Sequence, residues 1–158
     1  MAARAWVAGP GEAADVARLL VAFRDWFEES EPSAESMLAS VELLLGDDAT
    51  EYLLASAATE PSGVCQLRFR HSVWTASPDC WLEDLYVEDG ARGGGVGSAL
   101  VRLAFERARA RGARRIELDT NESNTGAIRL YESLGFSAAS KRHGPLTGRD
   151  LFMGRPLP

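Results

Sequence analysis

The stretch Trp81-Leu82-Glu83-Asp84-Leu85-Tyr86-Val87-Glu88-Asp89-Gly90-Ala91-Arg92-Gly93-Gly94-Gly95-Val96-Gly97-Ser98-Ala99-Leu100 decides the fold. Its first seven residues mix apolar and aromatic side chains with two carboxylates, the pattern of a strand with two differently solvated faces. Residues 88–95 form a glycine-rich loop. From there Val96, Leu100, Leu103, Ala104 and Ala108 recur at helical spacing, which predicts a helix over 96–111 with Gly112 as its left-handed stop. A strand feeding through glycines into a helix start makes an anion site. Glycines let a ligand approach the backbone, first-turn N–H groups lack intrahelical acceptors, and the helix dipole adds attraction. A phosphate or pyrophosphate is the expected guest. On the glycines alone, a flexible loop that binds nothing stays open.

Upstream, Trp6, Val7 and Ala8 read as a short first strand closed by Gly9-Pro10-Gly11. Residues 12–27 read as an amphipathic helix, with Val16, Leu19, Leu20, Phe23 and Phe27 on one side. Ser33 is the expected N-cap of a second helix reaching Leu45. The period then changes. Residues 52–57 are short and apolar, and 64–74 alternate, with Val64, Gln66, Arg68 and Arg70 opposite Cys65, Leu67 and Phe69. With 81–87 these read as an antiparallel meander. Downstream, 115–119 read as a strand and 124–134 as a helix ended by Gly135. Residues 136–139 and 150–153 are expected as the last two strands. The order is β-α-α-β-β-β-α-β-α-β-β, an α/β class (α+β with a mixed sheet) in a single domain over residues 1–158.

Composition sets limits. A chain of 158 residues with 46% hydrophobic and 25% charged residues is one ordinary globular domain. At this size it buries roughly 70% of its unfolded surface and needs no staples. Cys65 and Cys80 are too few for a disulfide framework and are expected as small buried residues. No apolar stretch is long enough to span a bilayer, and the first ten residues lack the apolar run of a secretory signal. The cytoplasm is the expected compartment. A net charge of −6 argues against nucleic acid or an anionic membrane surface as partner. Residues 1–60 carry 12 acids against 3 arginines, whereas the remainder carries a balance of +3. The only lysine is Lys141, which excludes a Walker A loop. His71 and His143 have no cysteine or carboxylate at ligand spacing, so no metal is expected.

A dinucleotide fingerprint fits poorly. Asp119 follows Gly97 by 22 residues, but Ser98 stands at the third glycine position and the motif comes after three hairpin-linked strands. The sequence instead resembles the GNAT superfamily of acetyl-CoA-dependent N-acetyltransferases. Arg92-Gly93-Gly94-Gly95-Val96-Gly97 matches its Arg/Gln-x-x-Gly-x-Gly/Ala signature, and the run from Asn124 to Leu-Tyr131-Glu-Ser-Leu-Gly-Phe136 resembles its second block. The likeness is specific over residues 80–140 and holds in layout only before that.

The resemblance implies the GNAT acyl-CoA N-acyltransferase fold and these roles. Backbone amides of Arg92, Gly93, Gly94, Gly95, Val96, Gly97 and Ser98 would hold the pyrophosphate of acetyl-CoA, the co-substrate. Leu85, Tyr86 and Val87 would pair with its pantetheine arm, their strand splayed from the next by a bulge. An amide near Leu85 or Val87 would polarise the thioester carbonyl. Asn124 would bond the pantetheine or place its helix, and Tyr131 would protonate the leaving thiolate.

The chemistry also needs a group that takes a proton from an ammonium. Glu83 and Asp84 sit in the strand leading to the thioester, on opposite faces if the strand alternates. The Leu-Glu-Asp segment resembles that of members acetylating polyamines and similar amines, where the glutamate is base-like. Glu83 is therefore the expected base and Asp84 a substrate-binding second. Asp119 either borders the site or caps a turn. Trp26, Phe27 and Glu28 are expected to wall the acceptor site, which suits an ammonium compound. Gln66, Arg68 and Arg70 could instead bind a substrate carboxylate. The arginines at 107, 109, 111, 114 and 115 are either a solvated helix end or a contact for the CoA 3′-phosphate. The expected activity is acetyl transfer to a primary amine of a small molecule, by direct attack in a ternary complex. The alternatives are a peptide or protein acetyltransferase, acting on lysine or an N-terminus, and a non-catalytic acyl-CoA-binding module. Dimers are common in the superfamily, which leaves a homodimer open, but no segment of the sequence compels one.

Overall fold

The computed structural model describes residues 2–140, 148 and 150–157. Lys141 and His143 lie outside them. The described chain divides into two compact units, residues 1–121 and 122–158.

The first unit holds β1 (Arg4–Val7), α1 (Ala13–Trp26), α2 (Ala34–Leu45), β2 (Thr50–Ser56), β3 (Gly63–Ser72), β4 (Ser77–Val87), α3 (Val96–Ala110) and β5 (Ile116–Glu117). Short 3-10 turns at Pro10–Glu12 and Asp89–Ala91 precede α1 and α3. Local chemistry sets these limits. Glu12 accepts from the Gly9 amide at 3.0 Å and from Trp6 Nε1 at 2.8 Å, tying β1 to the start of α1. Ser33 Oγ accepts from the Ser36 amide at 3.2 Å, the expected cap of α2. Gly112, with φ of +79°, takes the left-handed position after α3.

The sheet runs β1-β2-β3-β4-β5, antiparallel through β4 and parallel between β4 and β5. On one face Tyr52, Leu54, Val64 and Tyr86 join Val16, Leu19 and Leu20 of α1 and Val41 of α2 in a buried core. The alternate residues meet α3. A Cβ added to Gly63 would lie 2.5 Å from Val96 Cγ1 and 3.1 Å from Leu100 Cδ1, so α3 begins directly on the first residue of β3. Burying these apolar faces supplies the main stabilisation, about 25 cal/mol per Å² of apolar surface removed from water.

Two features of β4 depart from regular geometry. Gln66 pairs with Asp84 but Leu67 pairs with Leu82, so Glu83 has no partner on β3. This bulge reverses the alternation: Leu82 and Asp84, two residues apart, face opposite sides of the sheet. The expectation of simple alternation through Glu83 and Asp84 is corrected accordingly. In addition, β5 pairs with β4 only at Cys80 and Trp81. It is shorter than the expected strand over 115–119. Residues 82–87 have no strand partner on that edge among the described residues.

The second unit holds α4 (Thr125–Ser133), capped by Asn124 Oδ1 accepting from the Ala127 amide at 3.4 Å. Gly135, with φ of +94°, ends it. The expected strands at 136–139 and 150–153 are not formed. The Phe136 amide is already used, donating to the Tyr131 carbonyl at 3.0 Å as part of the helix end. The Ser140 amide closes a turn on Ser137 at 3.1 Å. Leu151, Phe152 and Met153 are exposed.

Candidate active site

The glycine loop is folded tightly before it opens. Ala91 donates to Glu88 at 2.9 Å, Arg92 to Asp89 at 3.3 Å and Gly94 to Ala91 at 3.4 Å through backbone bonds. Gly93 and Gly95 then take φ of +78° and +83°, a conformation that strongly favours glycine. Gly95 is the N-cap of α3 and makes no side-chain cap bond. The amides of Val96, Gly97 and Ser98 therefore point out of the helix start with no acceptor within it. No acidic side chain stands in that first turn. Backbone donors, a positive dipole end and no competing carboxylate suit an anionic group. The Arg92 side chain is used to brace the loop: Nε donates to the Val87 carbonyl at 3.1 Å and the guanidinium meets Asp89 at 2.8 Å.

Arg92 also stands 5.8 Å over the Trp26 ring. Trp26 and Phe27 at the end of α1 are 41% and 53% exposed, and Phe23 stacks on Tyr86 at 5.2 Å. Of the expected acceptor wall, Trp26 lies against Arg92 of the glycine loop, whereas the contact with Tyr86 of β4 is made by Phe23, outside that expectation. Glu28 follows with φ of +59°. It is exposed and turns the chain out of α1.

The two carboxylates of β4 differ. Glu83, at the bulge, is exposed, whereas Asp84 is half-buried. Burial first, then the neighbouring Glu83 and Asp119 charges, push the Asp84 carboxyl up to about 6. Asp84 shares a row with Gln66 of β3 and Tyr52 of β2. Burial, then the Asp84 charge, pushes the Tyr52 phenol up to about 12. Tyr52 was outside the expected site, and Gln66 was expected only as one of three β3 residues that could bind a substrate carboxylate. The signal was available in part, because both lie in strands predicted from the sequence, but only the register puts them beside Asp84.

The arginines at the far end of α3 are engaged with the protein itself. Arg107 holds Glu51 through two bonds of 2.8 Å, Arg111 reaches the same carboxylate at 3.3 Å and lies 4.1 Å over the Phe69 ring, and Arg115 meets Glu117 at 3.4 Å. Arg111 also donates to the Asp48 carbonyl. The solvated-face reading is thus incomplete: Arg109 and Arg114 are exposed, but Arg107 and Arg111 are committed to Glu51 of β2 and Arg115 to Glu117 of β5. His71 lines an open depression of about 410 Å³ with Phe69, Arg70 and Arg111, at the opposite end of β3 from Gly63. Cys65 and Cys80 are buried and unpaired, and burial pushes both thiols up, Cys80 to about 12. Such thiols are poor nucleophiles.

In the second unit, Asn124 serves as the α4 cap, the helix-placing half of its expected role. Tyr131 is buried on α4 with its ring 5.6 Å from Phe136, edge to face. Among the described residues no cluster of three or more metal-ligating side chains occurs, and no helix is long and apolar enough to cross a membrane.

A glycine loop at a helix start, beside a bulged and splayed strand of a mixed sheet, defines an acyl-transferase architecture. Residues 18–136 match the acetyltransferase (GNAT) family, and the chain belongs to it. A solved acetyltransferase-class structure from Arthrobacter sp. FB24 is 32% identical, covers 97% of this chain and 95% of its own, and superposes with a TM-score of 0.83. Thialysine N-epsilon-acetyltransferase of Bos taurus is 31% identical over 96 residues, 58% of this chain and 56% of that protein. Mycothiol acetyltransferase of Corynebacterium glutamicum strain R is 42% identical over 72 residues, 44% of this chain. That match spans only 24% of the mycothiol enzyme's length.

Proposed function

We propose that the protein is an N-acetyltransferase that moves an acetyl group from acetyl-CoA to a primary amine of a small molecule, working in the cytoplasm as a single domain over residues 1–158. The observation that carries this reading is the uncapped start of α3 at residues 95–98, placed at the end of a strand whose outer edge has no strand partner over 82–87 among the described residues. The family match runs across the boundary between the two units, which supports a single domain. Amides of Gly93 and of residues 95–98 hold the pyrophosphate, those of Arg92 and Gly94, expected there too, being spent on Asp89 and Ala91 within the loop, and Leu85, Tyr86 and Val87 present the edge to which a pantetheine arm adds as a strand.

Asp84 is the better proton acceptor of the two carboxylates. Its elevated value leaves it ionised at neutral pH yet more basic than an ordinary carboxylate. Glu83, exposed beside it, attracts the incoming cation. The deprotonated amine nitrogen attacks the thioester carbonyl carbon. The new N–C bond forms while an amide of Leu85 or Val87 holds the oxyanion. The C–S bond then breaks, its electron pair leaves on sulfur, and the Tyr131 phenol protonates the thiolate. The second amine proton returns the Tyr131 phenolate to phenol, and Asp84 gives the first to solvent, so one proton is released for each acetyl transferred. The inert thiols of Cys65 and Cys80 favour this direct attack over an acyl-cysteine intermediate.

The test is free-thiol release from acetyl-CoA across a panel of amines, with peptides included. Turnover on small amines supports the proposal. Turnover on peptides alone overturns the substrate class, and acetyl-CoA binding without turnover on any acceptor overturns the enzyme.

A further inference from the structure

A closed circuit of contacts joins the glycine loop to the end of α1. Phe23 stacks on Tyr86 of β4 at 5.2 Å, Trp26 lies 6.3 Å from Phe23, and the Arg92 guanidinium stands 5.8 Å over the Trp26 ring. Arg92 Nε then donates to the Val87 carbonyl at 3.1 Å, and Val87 follows Tyr86 in the chain. That carbonyl lies on the edge of β4 that has no strand partner there among the described residues. The Glu88 amide donates to the Ser62 carbonyl at 2.9 Å, so Glu88 and Ser62 are a bonded pair. Val87, one residue earlier and opposite Gly63, therefore turns its N–H and C=O away from β3. Arg92 thus reaches from the loop to the edge proposed for the acyl donor, and also touches the wall proposed for the acceptor.

The guanidinium spends a different part of itself on each neighbour. Nε serves the strand, Nη1 meets the Asp89 carboxylate at 2.8 Å, and the flat face meets the indole. A planar fork can make all three contacts at once, whereas an ammonium is a point charge on a flexible stem. The backbone holds the group in place from the other side. Arg92 is extended, with φ of −66° and ψ of 148°, between the Asp89–Ala91 turn and Gly93 at φ of +78°. Each side-chain contact alone is weak, because the Arg92 and Asp89 side chains are 47% and 77% exposed. Together they set one group against the strand, the loop and the helix end.

We propose that the Arg92 guanidinium couples the two substrate subsites: Trp26, a wall of the acceptor site, helps hold the glycine loop in its CoA-binding shape, and CoA and the amine each favour the binding of the other. This rests on the acetyltransferase reading above and deepens it. Trp26 is a positioning residue for CoA in this account, acting only through Arg92. By linkage, what the wall gives to the loop, a filled loop gives back to the wall.

The experiment is a calorimetric titration of the full chain with CoA, in the wild type, Trp26→Leu, Trp26→Phe, Arg92→Gln and the double variant Trp26→Leu with Arg92→Gln. Trp26→Leu should weaken CoA binding by about threefold, the scale of one exposed cation–π contact, and Trp26→Phe should recover most of that loss. Arg92→Gln should weaken it by about tenfold, since the bond to Val87 and the pair with Asp89 go as well. The double variant should bind as Arg92→Gln does, because the ring then has no cation to hold. In turnover, with an amine from the thiol-release panel, Arg92→Gln should also raise the KM for the amine, by about threefold. Wild-type CoA affinity in Trp26→Leu, losses that multiply in the double variant, or an amine KM unmoved by Arg92→Gln overturns the coupling while leaving the acetyltransferase reading intact. A wild type that does not bind CoA overturns the parent reading, and the coupling with it. A thermal melt of each variant separates loss of coupling from loss of folding.

Discussion

The two ends of α3 are built on opposite plans. Its N-terminal end carries glycines, left-handed backbone at Gly93 and Gly95, no side-chain cap and no acid in the first turn. Its C-terminal end carries Arg107 and Arg111, both closed onto Glu51. Arginines are the residues more often associated with phosphate, yet here Arg107 and Arg111 are both turned onto Glu51 and the glycine-rich end is left open. A binding site is marked by donors without acceptors. By that measure the backbone at residues 95–98 outranks every guanidinium of the helix.

The comparison can be broken at either end. The largest effect is expected for Gly95→Asp, which forces a side chain into a φ of +83° and puts negative charge where the anion sits. Acetyl-CoA affinity by calorimetry should fall by about 100-fold or more. Wild-type affinity would remove the loop from the site. Asp84→Asn should lower kcat by on the order of a hundredfold and abolish the acid limb of the pH profile. In the wild type that limb should rise with pH through about 6, because the raised carboxyl accepts a proton only once it has lost its own. A profile flat through that range would exclude Asp84 as the base. Tyr131→Phe should lower kcat about tenfold or more while leaving CoA affinity near wild type, since proton donation acts in the transition state. Unchanged turnover would take Tyr131 out of the mechanism.

The smallest effect is expected at the closed end. Glu51→Gln should cost about 2 kcal/mol of stability in denaturant titration, because two arginines lose their partner, discounted for their partial exposure. CoA affinity should not change. The Arg107 hydrogen bond first, aided by Arg111, holds the Glu51 carboxyl below its ordinary value. The stability it adds is therefore present above the ordinary carboxylate range and is lost as pH falls through the lowered value. A Gln variant that binds CoA poorly would contradict the division between the ends.

Most of the framework was legible because its signals are local. Ser33 caps α2, Gly112 and Gly135 end α3 and α4, and the alternation of residues 64–70 marks β3. The conformation of the glycine loop was legible for the same reason: Gly93 and Gly95 take a left-handed φ that few other residues adopt. What was not legible depends on partners distant in the chain. The bulge at Glu83 exists only in the register with β3, and no property of Leu-Glu-Asp announces it. Asp84 changes from second choice to the proposed base for that reason. The clamp of Arg107 on Glu51 joins residues 56 apart. The apolar residues at 151–153 look like a strand in composition, but nothing in the segment itself supplies the neighbour that a strand requires.

Gly63 has a consequence for how this protein can vary. The start of α3 rests on the sheet at a clearance set by an absent carbon, since a methyl group there would stand 2.5 Å from Val96. That clearance is also the height of the helix start above the strand ends. A single methyl at position 63 would act as a shim, tilting the whole anion cradle relative to the strand edge that must share its ligand. In the proposed reading, the alignment of the two halves of one long substrate is calibrated at a position that touches neither half.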